Sequence, residues 1–200
     1  MNPASTLALV SILALTAAGE PRTWDFERET PGKIARGFTN EVGRWQVAEV
    51  DGNKVLAQTA ENDDPVFNIA LIGESNAQDV ALSVKFQSHA GKFDQGGGLV
   101  WRAKDKNNYY VARYNPIEDN FRVYKVVAGQ RTMLQDAVIA HKPGWHTLQV
   151  TMKGDRITCS YDGKQYHDVR DATFPEPGKI GLWSKADAQT YFDDLTLREP

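Results

Sequence analysis

The chemistry-bearing residues are densest between Asp94 and Lys125, where glycine, aromatic and basic residues alternate through Asp94-Gln-Gly-Gly-Gly-Leu-Val-Trp-Arg and Asn108-Tyr-Tyr-Val-Ala-Arg-Tyr-Asn. Read as three consecutive strands, with Asn115 and Asn120 closing the second hairpin, the stretch sets Tyr114 opposite Phe121 and Arg113 opposite Arg122. Side chains alternate between the faces of a strand, so Trp101, Tyr110, Ala112, Tyr114, Phe121 and Val123 share one core-like face. Arg102, Tyr109, Val111, Arg113, Arg122 and Tyr124 share the other. Guanidiniums this close repel unless carboxylates or a polar ligand lie between them. Arginine offers a planar fork of donors and tyrosine a flat apolar ring with a polar tip, a pairing suited to sugar hydroxyls and ring faces. Arg102, Tyr109, Arg113, Arg122 and Tyr124 are therefore the candidate substrate-binding residues. The plainer reading is an outer sheet face on which these arginines pair with Glu118, Asp119 or Asp168.

Acid–base chemistry needs carboxylates, and a glycosidase of the usual kind needs two. Glu118-Asp119, in the loop beside the Arg–Tyr face, is the pair expected to be catalytic if any is, although adjacent acids in a loop also serve as turn formers. Asp63-Asp64, Asp168 with Asp171, Asp187 and Asp193-Asp194 are the other acids considered, and none forms the alternating Glu-x-Asp-x-Glu strand of laminarinase-type hydrolases. Asp193-Asp194, with Asp25 and Glu27 on a first strand that could lie beside them, offer hard oxygen ligands for a structural calcium, Asp25 and Asp193 foremost; turn and edge chemistry is the alternative. His89, His141, His146 and His167 show no paired metal spacing, and Gly96-Gly97-Gly98 lacks the Lys-Ser/Thr and helix of a phosphate loop. Cys159 is the only cysteine, so no intramolecular disulfide can form, and with no basic neighbour it reads as a buried inert thiol. Trp101 and Trp183 fall within apolar alternation and read as core; Trp145 has the opposite parity to Leu148 and Val150.

The elements that would position these groups are strands. Val80, Leu82, Val84 and Phe86 alternate with polar residues, as do Leu148, Val150 and Met152. Similar runs occur at 44–50, 54–58, 66–72, 98–103, 109–115, 121–127, 178–183 and 191–197. Asp51-Gly, Ala128-Gly, Lys153-Gly-Asp and Asp162-Gly punctuate them, and Asp162-Gly163 suits a type I′ hairpin turn. More than ten short strands without a convincing helix predict an all-β fold, an antiparallel two-sheet β-sandwich of jelly-roll form, in which the segments around Trp24 and Thr190–Leu197 pair.

The 200 residues carry 23 basic and 26 acidic side chains, a formal charge of −3, and all of these lie beyond residue 19. No basic stripe is present to displace phosphate counterions, which argues against a nucleic-acid partner. Hydrophobic content of 41% with 24% charged residues excludes a disordered chain. Leu7–Leu15 followed by Thr16-Ala-Ala-Gly19 has the order of a secretory signal peptide, although no Lys or Arg precedes it, and is too short to span a bilayer. The expected organisation is a signal peptide over 1–19, a single sandwich domain over 20–200, no membrane span, and a secreted or periplasmic location.

Trp24-Asp-Phe-Glu, Gly97-Gly-Leu-Val-Trp-Arg, Asn108-Tyr-Tyr-Val-Ala-Arg-Tyr-Asn, Gly144-Trp-His-Thr-Leu-Gln-Val, Tyr161-Asp-Gly-Lys, Gly178-Lys-Ile-Gly-Leu-Trp and Tyr191-Phe-Asp-Asp-Leu together resemble concanavalin A-like jelly-roll domains. Within these the sequence resembles the 3-keto-disaccharide hydrolases, also called 3-keto-glucoside lyases or hydratases, and more distantly laminin G-like modules. That resemblance implies an exported domain that binds or cleaves glucosides oxidised at C3. It further implies that one base and one electrophile suffice, with an arginine of the 102, 113, 122 set binding the enolate and Glu118, Asp119 or a histidine taking the proton. The competing expectations are a non-catalytic carbohydrate-binding module and an adhesion domain.

Overall fold

The computed structural model describes residues 20–199; the expected signal peptide lies outside the described residues. Two antiparallel sheets form a sandwich, with no helix among the described residues. The first sheet runs, in spatial order, β13 (Lys164–Arg170), β12 (Arg156–Tyr161), β11 (His146–Lys153), β6 (Val80–Ala90), β15 (Gln189–Arg198), β4 (Asn53–Gln58) and β3 (Trp45–Val50), with β1 (Arg22–Trp24) also on β15. The second runs β10 (Gln130–Val138), β9 (Asn120–Val127), β8 (Asn108–Asn115), β7 (Gly97–Asp105), β14 (Lys179–Lys185), β5 (Phe67–Ile72) and β2 (Phe38–Val42). The chain changes sheet between β6 and β7 and again between β13, β14 and β15, the wrapping of a jelly roll.

Alternation decides which residues meet between the sheets. Val80, Leu82, Val84 and Phe86 on β6 join Leu148, Val150 and Met152 on β11, and face Leu99, Trp101, Tyr110, Ala112, Tyr114, Phe121 and Val123 of the second sheet. Cys159 sits in this core, where burial pushes its thiol pKa up and leaves it inert. The terminal pairing is present as Trp24↔Leu195. Asp162 and Gly163 both have positive φ, 49° and 76°, which is the type I′ turn that lets Tyr161 pair directly with Lys164. Two strands carried no readable alternation, β2 and β10. The second is an edge strand of mixed exposure with a bulge between Met133 and Gln135.

The second sheet buries its outer face as well. Ile69, Leu71, Val100, Tyr109, Val111, Tyr124, Val126 and Trp183 form a separate apolar cluster there, with Phe67 against it. Arg131 on the edge strand β10 lies 4.4 Å from the Tyr124 ring and 5.2 Å from that of Phe67, on β5. Five inter-strand steps separate β10 from β5, about 24 Å if the sheet were flat. The sheet therefore curls, and its outer face is concave.

Candidate functional site

The register β8–β9 is Asn115↔Asn120, Tyr114↔Phe121 and Arg113↔Arg122, as the spacing predicts. Tyr109, Arg113, Arg122 and Tyr124 consequently share the concave face. Arg113 is almost wholly buried and spends its fork on Asn120 Oδ1, Glu118 Oε2 (2.8 Å) and the Tyr124 hydroxyl (3.3 Å). Glu118 Oε2 also accepts from Asn120 Nδ2 (3.0 Å) and Arg122 Nη1 (3.4 Å), while Arg122 forms an ion pair with Asp136 (3.0 Å). Partial burial works against the charge on Glu118, but Arg113, Asn120 and Arg122 outweigh it and hold the carboxyl below its usual range. Tyr109 is fully buried and accepts a hydrogen bond from Trp183 Nε1 (3.3 Å), and burial raises its pKa.

Arg102 does not join them. A bulge follows Trp101, Arg102 adopts φ +45°, and the parity that would have placed it on the concave face is lost. Its guanidinium is buried and donates to the carbonyls of Gln78 (2.6 Å), Phe174 (2.9 Å) and Gly154 (2.8 Å), with Asp79 at 3.3 Å. It clips loops together at one end of the sandwich. Asp119 also separates from its neighbour Glu118: at φ +50° it turns toward the segment after β10, its carboxylate accepting the His141 N–H (2.8 Å) and its carbonyl the Ile139 N–H (2.9 Å). Asp168 pairs with Arg156, away from the arginine face. Asp193 is committed to Asn53 Nδ2 (2.9 Å) and the Asp194 N–H (2.7 Å), and Asp25 accepts the Glu27 N–H (3.2 Å). Among the described residues no group of three or more His, Cys, Asp or Glu forms a metal-holding cluster, so the calcium expectation gains no ligand set.

The concave face also contains groups that the sequence reading left out. Asp94, buried in the loop entering β7, accepts the Gly96 N–H through Oδ1 (2.6 Å). Lys185 Nζ on β14 lies 3.9 Å from Asp94 Oδ2 and pairs with Asp64. Burial pushes the Asp94 carboxyl up, and the Gly96 N–H, Arg113 and Lys185 only partly offset this. A Cβ on Gly96 would stand 2.9 Å from Asp94 Oδ1 and 3.1 Å from the Tyr114 carbonyl, so glycine is what lets the carboxylate seat there. Gly98, between Arg113 on β8 and Trp183 on β14, likewise has no room for a side chain against the Ala112 carbonyl. The result is a row of alternating charge, Asp64, Lys185, Asp94, Arg113, Glu118, Arg122 and Asp136, beside an aromatic floor of Trp183, Phe67, Tyr109 and Tyr124. Trp183 is buried as expected, but in this floor and not between the sheets. Among the described residues, Arg113 Nε, Asn115 Nδ2 and Arg131 Nη1 are buried donors with no acceptor. A groove of about 570 Å³ runs past Phe67 and Arg131.

Residues 25–198 match the family described as the 3-keto-alpha-glucoside-1,2-lyase-like domain. The chain belongs to that family. Among solved structures, the carbohydrate-binding module CBM66 from Bacillus subtilis superposes with TM-score 0.69 at 21% identity, covering 80% of this chain and 94% of that one. A protein of unknown function with a galectin-like fold, also from Bacillus subtilis, gives 0.59 at 11% identity over 81% and 89%. The GH43 protein BlXynB from Bacillus licheniformis gives 0.63 at 16% identity over 86% of this chain and 38% of its own. These likenesses establish the sandwich fold of this 3-keto-glucoside lyase-like domain. Among curated proteins none matches the sequence.

Proposed function

We propose that the concave face of the second sheet binds carbohydrate, with glucosides oxidised at C3 as the substrate class that family membership supports. The observation that carries this is the alternating charge row, whose members Glu118, Arg122 and Asp136 are partly exposed, beside the groove past half-buried Phe67, because a polyol can bridge such donors and acceptors and lay a C–H face on an open ring. The fold shared with a carbohydrate-binding module supports the same reading. Isothermal titration of the purified protein with glucosides and their 3-keto derivatives should give saturable heat that Glu118→Gln and Tyr124→Ala weaken; absence of binding to every member of the panel would overturn it.

Cleavage is the second reading, favoured by a polar site that holds an ionised carboxylate beside partly open cations. On a 3-keto-glucoside, Glu118 takes the C2 proton acidified by the ketone, and Arg122 and Arg131 carry the developing enolate charge. The electron pair forms C1=C2, the C1–O bond breaks, and the departing alkoxide takes a proton from solvent. A base this acidic is weak, so the substrate's own acidity must do most of the work. Chromatography for released aglycone separates the readings: product that disappears in Glu118→Gln supports elimination, and binding without product supports recognition alone. Export is proposed from the apolar 7–15 segment, and an intact mass beginning at Glu20 after secretion would test it.

A further inference from the structure

A second cavity, of about 260 Å³, opens at the end of the sandwich where β6 and β11 meet the β8–β9 turn. Phe86, Tyr114 and His146 form one side; Gln95, His141 and Lys142 are on the other. No aspartate or glutamate among the described residues borders it. The carboxylates on adjoining segments are spent elsewhere, Asp119 on the His141 N–H and Asp162 on the Thr147 N–H (2.8 Å) and His146 Nδ1 (2.7 Å). His146 Nε2 lies 2.7 Å from the Lys142 carbonyl. The backbone of the loop is thus pinned at two successive residues, which sets the exposed side chains of His141 and Lys142 along a rim with no carboxylate among the lining residues. Behind the wall, Tyr161 stacks on His146 (5.0 Å between centroids) and lies 4.6 Å from Tyr114, its hydroxyl buried with no hydrogen-bond partner.

We propose that this end cavity is a ligand site separate from the concave face, and that it takes one carboxylated monosaccharide, a hexuronate, with its carboxylate at Lys142 and His141 and its ring against Phe86 and Tyr114. The volume falls just under the range of sites for larger ligands and suits one sugar ring. The Gln87 amide and the His89 imidazole, which also line the cavity, serve the hydroxyls; the rim cation selects the acid over the neutral sugar.

The test is an amide-resolved NMR titration of the whole protein with sodium glucuronate and with glucose at matched ionic strength. Glucuronate should shift the amides of Phe86, Gln95 and His146 saturably and bind about tenfold more tightly than glucose, the worth of one charge-assisted hydrogen bond. Both rim residues are exposed, so the double variant His141→Ala with Lys142→Ala should keep the wild-type spectrum elsewhere while glucuronate affinity falls about tenfold. Glu118→Gln, on the concave face, should leave these shifts unchanged, which separates failure here from failure of the concave-face reading. Equal response to glucose and glucuronate, shifts that avoid the cavity, or full affinity in the double variant would each overturn the proposal.

Discussion

Strand β8 buries both faces by different means. Tyr110, Ala112 and Tyr114 are covered by the opposite sheet, in a core of aliphatic and aromatic side chains. The polar atoms of β8 itself are matched on that side: the Tyr110 hydroxyl donates to Asp171 Oδ1 (2.7 Å) and accepts the Phe174 N–H (3.2 Å), and the Tyr114 hydroxyl donates to the Ile139 carbonyl (3.2 Å), while the Tyr161 hydroxyl packed against Tyr114 has no partner. Tyr109, Val111 and Arg113 are covered by the curl of their own sheet and by side chains reaching across it, Trp183, Phe67 and Arg131. On that side three buried donors have no acceptor among the described residues. Burial alone therefore does not distinguish core from site here. The distinction lies in charge: the core side meets the apolar layer of the opposite sheet, whereas the outer side carries a row of charged groups whose members Glu118, Arg122 and Asp136 stay partly exposed.

The largest test of that contrast removes one tryptophan from each face. Trp101 and Trp183 are both fully buried, and truncating a buried aromatic typically costs about 3–5 kcal/mol. Trp101→Ala and Trp183→Ala should lose comparable stability in chemical denaturation, yet only Trp183→Ala should lose glycan affinity when titrated at a temperature where both remain folded. If both keep full affinity, the concave aromatic floor is merely a second core.

Two arginines that looked alike in sequence provide the next test. Arg102→Ala leaves three carbonyls without this donor and Asp79 with only the Gly154 N–H (2.9 Å), and should cost about 3 kcal/mol of stability while sparing ligand binding in the folded fraction. Arg113→Ala removes one of the three donors to Glu118 and leaves Asn120 Oδ1 without its donor, and should cost about 2 kcal/mol together with most of the binding. The reverse pattern, with Arg102→Ala abolishing affinity at unchanged stability, would return Arg102 to the site.

The two arginines also mark where the sequence was legible. Register and facing of β8 and β9 followed from period-two alternation and one hairpin closure, so Tyr109, Arg113, Arg122 and Tyr124 were found together. Arg102 was misplaced because the bulge between Trp101 and Asp105 places two extra residues on β7 against β8 and takes Arg102 out of the alternation, and Trp101-Arg-Ala-Lys carries no glycine to announce it. Arg131 was missed because β10 is a half-exposed edge strand that need not alternate. Asp94 had a readable signal: it shares parity with Gly96, Gly98 and Val100, and two glycines on one face mark room for another group. Phe67 meets Arg131 only through the curl of the sheet, which no local pattern encodes, and Lys185, two residues beyond Trp183 on the same face of β14, was missed because Trp183 reads as core.

At acid pH the two faces should part again through their carboxylates. Asp171, tying β8 to Lys125 (2.7 Å) and Thr173, has burial against its charge, yet these donors and the Tyr110 hydroxyl bring its pKa down to about 2. A depressed folded pKa contributes stability that is present above the unfolded value and lost as pH falls through the folded one. Asp171→Asn should therefore narrow its stability gap to wild type between roughly pH 4 and pH 2. Identical acid limbs in urea melts would count against that ion pair.

Asp94 gives the smallest effect, with the opposite sign. Its folded pKa is raised by burial, so its favourable contribution is complete below the unfolded carboxylate value and is lost as pH rises through the folded one. Asp94→Asn cannot ionise and keeps an oxygen for the Gly96 N–H, so it should be as stable as wild type near pH 3 and more stable, with a higher Tm, at pH 7. Glycan affinity at pH 7 should fall in the same variant, because the negative end of the charge row beside Lys185 is gone. Gain of stability with loss of affinity would mark Asp94 as a group retained on the concave face at a folding cost. Parallel stability profiles for the two proteins across that pH range would mean that Asp94 titrates as an ordinary surface acid, and the contrast between the faces would then rest on the remaining charges of the row.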